Sequence, residues 1–128
     1  MTVTFAQPAP QAVPAGTPDY ETLIGIAKAP AEQDLDQVVQ LEIERLDRMD
    51  QWVFLLGKLR GVDGGPLTLE NTPYAEAAAE GGMSDAYVAL LRQEAEGWIV
   101  VEHAVGPTDV IWLDWPEAHA APRALFGF

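Results

Sequence analysis

The stretch GWIVVEHAVGPTDVIWLDW, residues 97–115, holds three of the four tryptophans and one of the two histidines of the chain. It begins as a predicted strand that ends at the turn of Gly106 and Pro107, because proline cannot donate a hydrogen bond to a neighbouring strand. The run that follows, 110–115, is predicted to be extended. Side chains alternate along a strand, so Trp98 and Val100 are expected on one face of the sheet. The opposite face is expected to carry Ile99, Val101, His103 and Val105.

The segment before this strand, residues 85–94 (DAYVALLRQE), has an ambiguous pattern. Its apolar residues fit one face of a helix and also fit a strand. Turn residues at 95–97, followed at once by Trp-Ile-Val-Val, favour a hairpin. We therefore predict a strand at 86–94, with a helix as the open alternative.

Another hairpin is predicted earlier in the chain. Apolar and polar residues alternate in 38–46, which is typical of a strand with one face in water. A polar connection at 47–50 leads to the returning strand 51–60, which is apolar on both faces and is therefore placed inside the sheet. One face of it is predicted to hold Trp52, Phe54 and Leu56, and the other Val53, Leu55 and Leu59. Gly57 in mid-strand indicates a bulge or a close approach of another backbone.

Capping residues predict two helices. Thr17 caps the first helix, Pro18 takes its first position, and Pro30 stops or kinks it. Thr72 is predicted to cap a short second helix at 74–80. The tail residues Leu125, Phe126 and Phe128 are expected to dock on the sheet, because three such side chains in water would be unfavourable by roughly a few kcal/mol.

The length of 128 residues fits a single domain. Residues 1–16 are rich in proline and alanine and are predicted to be disordered, and residues 17–128 are predicted to form one α+β domain. In that domain an N-terminal helix packs on a curved antiparallel sheet of about four strands, arranged as two hairpins. This architecture is similar to cystatin-like and nuclear-transport-factor-like folds, a comparison that carries no function.

Charge and composition exclude several classes of partner. Twenty acidic against seven basic residues give a net charge of −13, so nucleic acids are excluded and anionic membranes are disfavoured. The absence of cysteine excludes disulfides and thiol catalysis. No apolar run reaches the roughly 18 residues of a membrane span. Residues 1–16 are similar to a segment that follows a signal-peptide cleavage site, so we expect a periplasmic or secreted protein, with the cytoplasm left open.

Four basic residues of the first hairpin are predicted to form cross-strand ion pairs with nearby acids. They are Arg45, Arg48, Lys58 and Arg60, placed opposite Glu42, Glu44 and Asp50. Each such pair on a surface stabilises a protein only weakly.

His103 and Asp109 flank the Gly106–Pro107 turn and are candidates for acid–base chemistry, since a carboxylate beside a histidine supports a general base. No nucleophile stands in an obvious position beside them, because the chain has no cysteine and its only serine is Ser84, which leaves Thr108 as a weak candidate. A structural role competes, in which the Asp109 side chain accepts hydrogen bonds from the amides of the turn. We therefore assign no catalytic residue.

Trp112 and Trp115 complete the candidate ligand-binding set with His103 and Asp109. An exposed tryptophan beside acids would suit a cationic, sugar or peptide ligand. The competing interpretation is that both tryptophans pack the C-terminal run onto the sheet. No cofactor and no dedicated metal site are expected, because the two histidines and the acids near them show no recognised ligand spacing. Those acids are Asp109, Asp114 and Glu117.

Several short motifs occur together along the chain. They are W-V-F-L at 52–55, D-G-G-P-L at 63–67, N-T-P-Y-A-E-A at 71–77, A-L-L-R at 89–92, G-P-T-D-V at 106–110, W-L-D-W-P at 112–116 and A-P at 121–122. The combined pattern, over about residues 20–126, resembles small bacterial proteins of unknown function that often carry an export signal. This resemblance implies a single small α+β domain outside the cytoplasm, and it implies no activity and no site.

Three functional classes follow from these observations. The leading one is a non-enzymatic exported domain that binds a peptide, a protein or a small ligand through Trp112, Trp115 and the acidic surface. The second is a small hydrolase or isomerase with a sheet pocket around His103 and Asp109. The third is a structural subunit that forms a homodimer.

Overall fold

The computed structural model describes residues 10–67, 69, 72 and 74–127, whose strands form one antiparallel sheet in the order β1-β2-β3-β4-β5. The strands are β1 (Gln11–Ala12), β2 (Gln40–Met49), β3 (Trp52–Arg60), β4 (Ala86–Glu94) and β5 (Gly97–Val105). The helices are α1 (Pro18–Leu35), α2 (Ala75–Ala79) and α3 (Trp115–His119), with 3₁₀ turns at Ile111–Asp114 and Arg123–Phe126. The predicted α+β class with two hairpins is confirmed, and the described strands do not close into a barrel.

Helix α1 begins as predicted, with the Thr17 side chain accepting a hydrogen bond from the Tyr20 amide at 3.3 Å. Pro30 does not stop it, although a proline inside a helix costs about 3 kcal/mol. The helix continues because a row of side chains spaced four residues apart is buried on both sides of the proline. That row is Leu23, Ala27, Ala31 and Leu35. The helix ends at Asp36, which has a positive φ of 50°.

The first hairpin has a shorter turn than predicted. Residues 47–49 belong to β2 and pair with β3 as far as Met49 opposite Trp52, so only Asp50 and Gln51 make the turn. The prediction for Gly57 is confirmed: the β2–β3 register shifts between Ile43 and Arg45, and a Cβ on Gly57 would lie 2.8 Å from the Glu42 carbonyl oxygen.

The sheet is covered on both sides, as the two apolar faces of β3 predict. The side covered by α1 is here called the helix face, and the side covered by residues 111–126 the C-terminal face. Val53, Leu55 and Leu59 pack on the helix face. Trp52, Phe54 and Leu56 pack on the C-terminal face. Strand β3 therefore lies inside the sheet with both faces buried.

The strand predicted at 86–94 is confirmed as β4, but the predicted faces of β5 are wrong beyond Val101. Leu90 pairs with Glu102 and Leu91 with Val100, so Val101 is an extra residue in β5. An extra residue reverses the alternation of side chains. As a result His103 and Val105 join Trp98 and Val100 on the helix face, while Val101 packs on the C-terminal face.

The run 110–115, predicted to be extended, is instead the 3₁₀ turn that leads into α3. Trp112 and Trp115 are three residues apart on this helical stretch, so both pack on the C-terminal face. Leu125 and Phe126 are buried on the same face as predicted, whereas Phe128 lies outside the described residues. Arg45 donates to the carbonyls of Leu125 (3.1 Å) and Phe126 (3.3 Å), in addition to pairing with Asp47 of its own strand at 2.8 Å.

The N-terminal segment contains a short strand where disorder is predicted. Gln11 and Ala12 pair with Arg48 and Asp47 of β2, and the Val13 amide donates to the Leu46 carbonyl at 2.9 Å. The rest of that prediction, for residues 1–9, lies outside the described residues. Across the described part of the chain, none of the helices has the length and apolarity to cross a bilayer.

The short helix α2 ends at Ala79, just before Glu80, and its start differs from the prediction. Tyr74, and not Thr72, occupies the position before the helix. The Thr72 hydroxyl donates to the Leu69 carbonyl at 2.6 Å and accepts from the Tyr74 amide at 3.2 Å. Thr72 therefore closes the turn ahead of α2 and does not cap the helix. Pro73, predicted to take the first position of this helix, lies outside the described residues.

Candidate functional site

A cleft of about 540 Å³ opens where β3 ends and β4 begins. Its apolar walls come from Leu59 at the end of β3, from Leu67 and Leu69, and from Met83. The remaining lining residues are Arg60, Gly64, Gly65, Pro66, Ser84 and Asp85. A volume of this size is within the range of small-molecule sites, roughly 300–1,000 Å³.

The loop after β3 turns tightly enough to bring Leu67 and Leu69 back over the sheet. The Gly64 amide donates to the Gly61 carbonyl and the Gly61 amide to the Gly65 carbonyl, both at 2.8 Å. The Asp63 carboxylate accepts from the Gly65 amide at 3.0 Å. Gly64 has a φ of +84°, which glycine adopts without strain. Leu67 and Leu69 consequently pack beside the helix-face core and form one wall of the cleft.

The opposite wall is tied to the Gly106–Pro107 turn. The Ser84 amide donates to the Gly106 carbonyl at 3.1 Å, and the Ser84 hydroxyl donates to the Pro107 carbonyl. A Cβ on Gly106 would lie 2.3 Å from Cγ of Met83, so any other residue there would force the methionine side chain to move, and the φ of +68° also favours glycine. The turn that the sequence predicts thus positions Met83 and Ser84 in the cleft wall.

The polar groups of the cleft are an ion pair between Arg60 and Asp85. Nη1 of Arg60 lies 2.7 Å from Oδ2 of Asp85, and its Nη2 lies 3.3 Å from Glu42, so the predicted cross-strand pair with Glu42 is confirmed. The hydrogen bond to Asp85 raises the pKa of Arg60. The same hydrogen bond lowers the pKa of Asp85. One guanidinium faces two carboxylates here, so this end of the cleft carries no excess positive charge.

His103 has a carboxylate partner, but it is not Asp109. The imidazole Nε2 of His103 donates to Oδ2 of Asp34, in the last turn of α1, at 2.9 Å. Asp109 is exposed, and its carboxylate accepts from the Val110 amide at 3.1 Å. Among the described residues the predicted His103–Asp109 dyad is therefore not formed, and Asp109 has the backbone-bonding role that competed with it.

Asp34 also interacts with two tyrosines that sequence reasoning missed. Burial raises the pKa of Tyr74, and the charge of Asp34 and a hydrogen bond to it raise it further. Burial, and then the charge of Asp34, also raises the pKa of Tyr87, whose hydroxyl donates to the Ala27 carbonyl at 2.6 Å. Continuing α1 through Pro30 would have placed Asp34 one turn after the buried Ala31 and two turns after the buried Ala27. This helical spacing is the sequence signal that could have identified Asp34.

The tryptophans of the predicted ligand-binding set differ in exposure. Trp115 is buried in the C-terminal-face core, so it has no surface for a ligand. Trp112 is half-buried, with its ring 5.9 Å from that of Phe54. The interpretation in which both pack the C-terminal run onto the sheet describes them better than ligand contact does.

The second histidine, His119 of α3, bonds the Glu102 carboxylate on β5. Neighbouring β5 residues thus pair with opposite layers, Glu102 with α3 and His103 with α1. Within the described ranges, no three histidine or carboxylate side chains come together in a group that could hold a metal ion.

Comparison of the chain with family models, with curated proteins and with solved structures gives no match. The resemblance to small exported bacterial proteins and the likeness to cystatin-like or nuclear-transport-factor-like folds therefore stay predictions. The site is characterised by its own geometry alone.

Proposed function

We propose that this protein is a non-enzymatic binding domain whose ligand is a small, mostly apolar molecule held in the cleft beside Arg60 and Asp85. The observation that carries the proposal is the cleft itself, which has a ligand-sized volume, apolar walls and one polar pair. Ligand pockets commonly combine apolar walls with a few placed polar groups that set the orientation of the ligand.

The charges around the cleft indicate which molecules it favours. Arg60 is already bonded to Asp85 and Glu42, so an anionic ligand would have to displace one of these carboxylates. The net charge of −13 on the whole chain also repels anions. An uncharged ligand can still accept from Arg60 or donate to Asp85 at its polar end, while its apolar part contacts Leu67 and Met83. We therefore expect a neutral ligand.

An enzymatic alternative rests on the pair of His103 and Asp34. The Asp34 carboxylate orients the imidazole of His103. Among the described residues Nδ1 of His103 has no hydrogen-bond partner, and a general base needs such a free nitrogen to accept a proton. His103 does not line the cleft, however, and the hydroxyls described near its partner Asp34 belong to Tyr74 and Tyr87, whose raised pKa values disfavour the ionised form that a nucleophile needs. Binding is therefore the better-supported function. Export stays a prediction that fractionation of the producing cells would test.

Fluorescence titration with Nile red, a neutral apolar dye, tests the binding proposal. We expect saturable binding with one dye per chain. Leu67→Arg puts a charged side chain into the apolar wall and is expected to weaken dye binding by roughly tenfold or more, since one charge in an apolar site costs more than the 1.4 kcal/mol that corresponds to tenfold.

The matched control is Val62→Arg, which adds the same charge to the same loop at a side chain that is 67% exposed and outside the cleft lining. It should leave the affinity unchanged. Circular dichroism of both variants checks that they fold. Equal weakening by the two substitutions, or the absence of saturable binding to the unaltered protein, would contradict the proposal.

A further inference from the structure

An apolar surface lies at residues 110–113, on the outside of the C-terminal layer. Six large apolar side chains are exposed in the described part of the chain, and three of them fall within these four positions. They are Val110 (42% exposed), Ile111 (44%) and Leu113 (61%). We call this surface the 110–113 patch. Clustered exposed apolar residues commonly mark an interaction site, whereas isolated ones need no explanation.

The patch is held in place by the core beneath it. Trp112, within the patch, packs against Phe54 of the central strand, and Trp115 is buried directly after it. Because these two tryptophans face the sheet, the side chains between and before them face outward. The patch is therefore a fixed feature of the folded protein, and a partner would not have to order it on binding.

The charges beside the patch are negative. Asp109, Asp114 and Glu117 flank it and are exposed. Nη1 of Arg123 lies 3.8 Å from the Glu117 carboxylate with both side chains well exposed, so this pair screens that carboxylate only weakly. A partner that brings apolar side chains to the patch must therefore approach through a negative potential.

From these observations we infer that the 110–113 patch docks a cationic, amphipathic segment of another protein. The apolar side of such a segment would cover Ile111 and Leu113, and its lysines or arginines would face Asp109 and Asp114. Complementary charge speeds association and suppresses wrong partners. A second copy of this chain is a less favourable partner. Each copy has a net charge of −13, so the two negatively charged surfaces would repel each other.

Fluorescence anisotropy with two labelled peptides tests this inference. One peptide is an amphipathic helix of leucine and lysine, and the other has the same leucine pattern with glutamate in place of lysine. We expect saturable binding of the lysine peptide alone, weakened by added salt because salt screens exposed charges. The double variant Ile111→Ser/Leu113→Ser should weaken binding by about tenfold or more, as expected when central apolar contacts are truncated.

The matched control is Val38→Ser/Val62→Ser, which removes two exposed apolar side chains (60% and 67%) far from the patch in sequence, one of them two residues after the acidic Asp36. It should leave the affinity for the lysine peptide unchanged. All four side chains are exposed, so neither double variant should unfold the protein. Neither should change Nile red binding in the cleft, so that failure of the docking inference is distinguishable from failure of the ligand proposal.

Three results would overturn the inference. The first is equal weakening by the patch variant and the control variant. This result would mean that the lysine peptide binds through general attraction to an acidic surface and not through the 110–113 patch. The second is equal binding of the glutamate peptide. The third is a dimer in sedimentation velocity that Ile111→Ser/Leu113→Ser dissociates, because the occupant of the patch would then be a second copy of the chain.

Discussion

Replacing Gly57 by alanine should destabilise the protein, whereas the same replacement at Gly25 should stabilise it. A Cβ at position 57 would lie 2.8 Å from the Glu42 carbonyl oxygen, where real Cβ contacts are rarely closer than 3.4 Å. The carbonyl belongs to the backbone of β2, so relief requires a shift of the β2–β3 ladder. Gly25 lies in α1 and has nothing within 4 Å of a Cβ.

The two magnitudes follow from these environments. Overpacking of a well-packed site costs about 1–3 kcal/mol, and alanine offsets about 0.5–1 kcal/mol of this by restricting the unfolded chain, so Gly57→Ala should lower the free energy of unfolding by roughly 1–2 kcal/mol. Gly25→Ala has only the favourable part and should raise it by about 0.5–1 kcal/mol. For a chain of this length, 1 kcal/mol corresponds to roughly 4 °C in Tm.

Urea unfolding followed by tryptophan fluorescence measures both variants, with Tm from circular dichroism as a second probe. Each variant is the control for the other, because the chemical change is identical. A Gly57→Ala variant as stable as the unaltered protein would refute the close approach of β2 to β3 at this point. Destabilisation by Gly25→Ala would refute the open environment of that position in α1.

Two further predictions concern Tyr87 and Asp85. Tyr87→Phe removes the buried hydrogen bond to the Ala27 carbonyl and should cost about 1 kcal/mol in urea unfolding. Because the pKa of Tyr87 is raised in the folded state, this tyrosine ionises first in the unfolded chain. The free energy of unfolding should therefore fall as the pH rises above 10.0, the ordinary tyrosine pKa, and it should fall less in Tyr87→Phe. An equal fall in both proteins would contradict this prediction. Asp85→Asn leaves Arg60 with Glu42 as its remaining acidic partner among the described residues, so the anionic dye ANS should bind more tightly in fluorescence titration. Unchanged ANS binding would argue against a role of this ion pair in excluding anions.

Much of the fold could be predicted because local patterns and tertiary structure agree. The two apolar faces of β3, the Thr17 cap and the docking of Leu125 each follow from residues that act through their immediate neighbours or through burial. The predicted faces of β5 failed because a single extra residue, Val101, reverses the alternation, and periodicity does not reveal a bulge. The short helix α3 was missed because two tryptophans three residues apart were interpreted as part of an extended run.

The candidate sites were less predictable for a different reason. His103 was identified from its residue type, but its partner Asp34 is 69 positions away in sequence and is brought close by the packing of α1 on the sheet. The cleft depends on where the loop after β3 returns, which is set by hydrogen bonds within 61–65. The helical spacing could place Asp34 on the buried side of α1 but does not identify its partner, and the position of the returning loop depends on tertiary packing, so the pair and the cleft both required the three-dimensional structure.

The pairing of neighbouring β5 residues with opposite layers has a consequence for how the molecule opens. An edge strand with a single neighbour is usually the first strand to fray. Here the Glu102 carboxylate bonds α3 and the next residue, His103, bonds α1. β5 therefore cannot detach without breaking a side-chain contact on each face of the sheet. We expect these two contacts to oppose fraying of this edge from both sides.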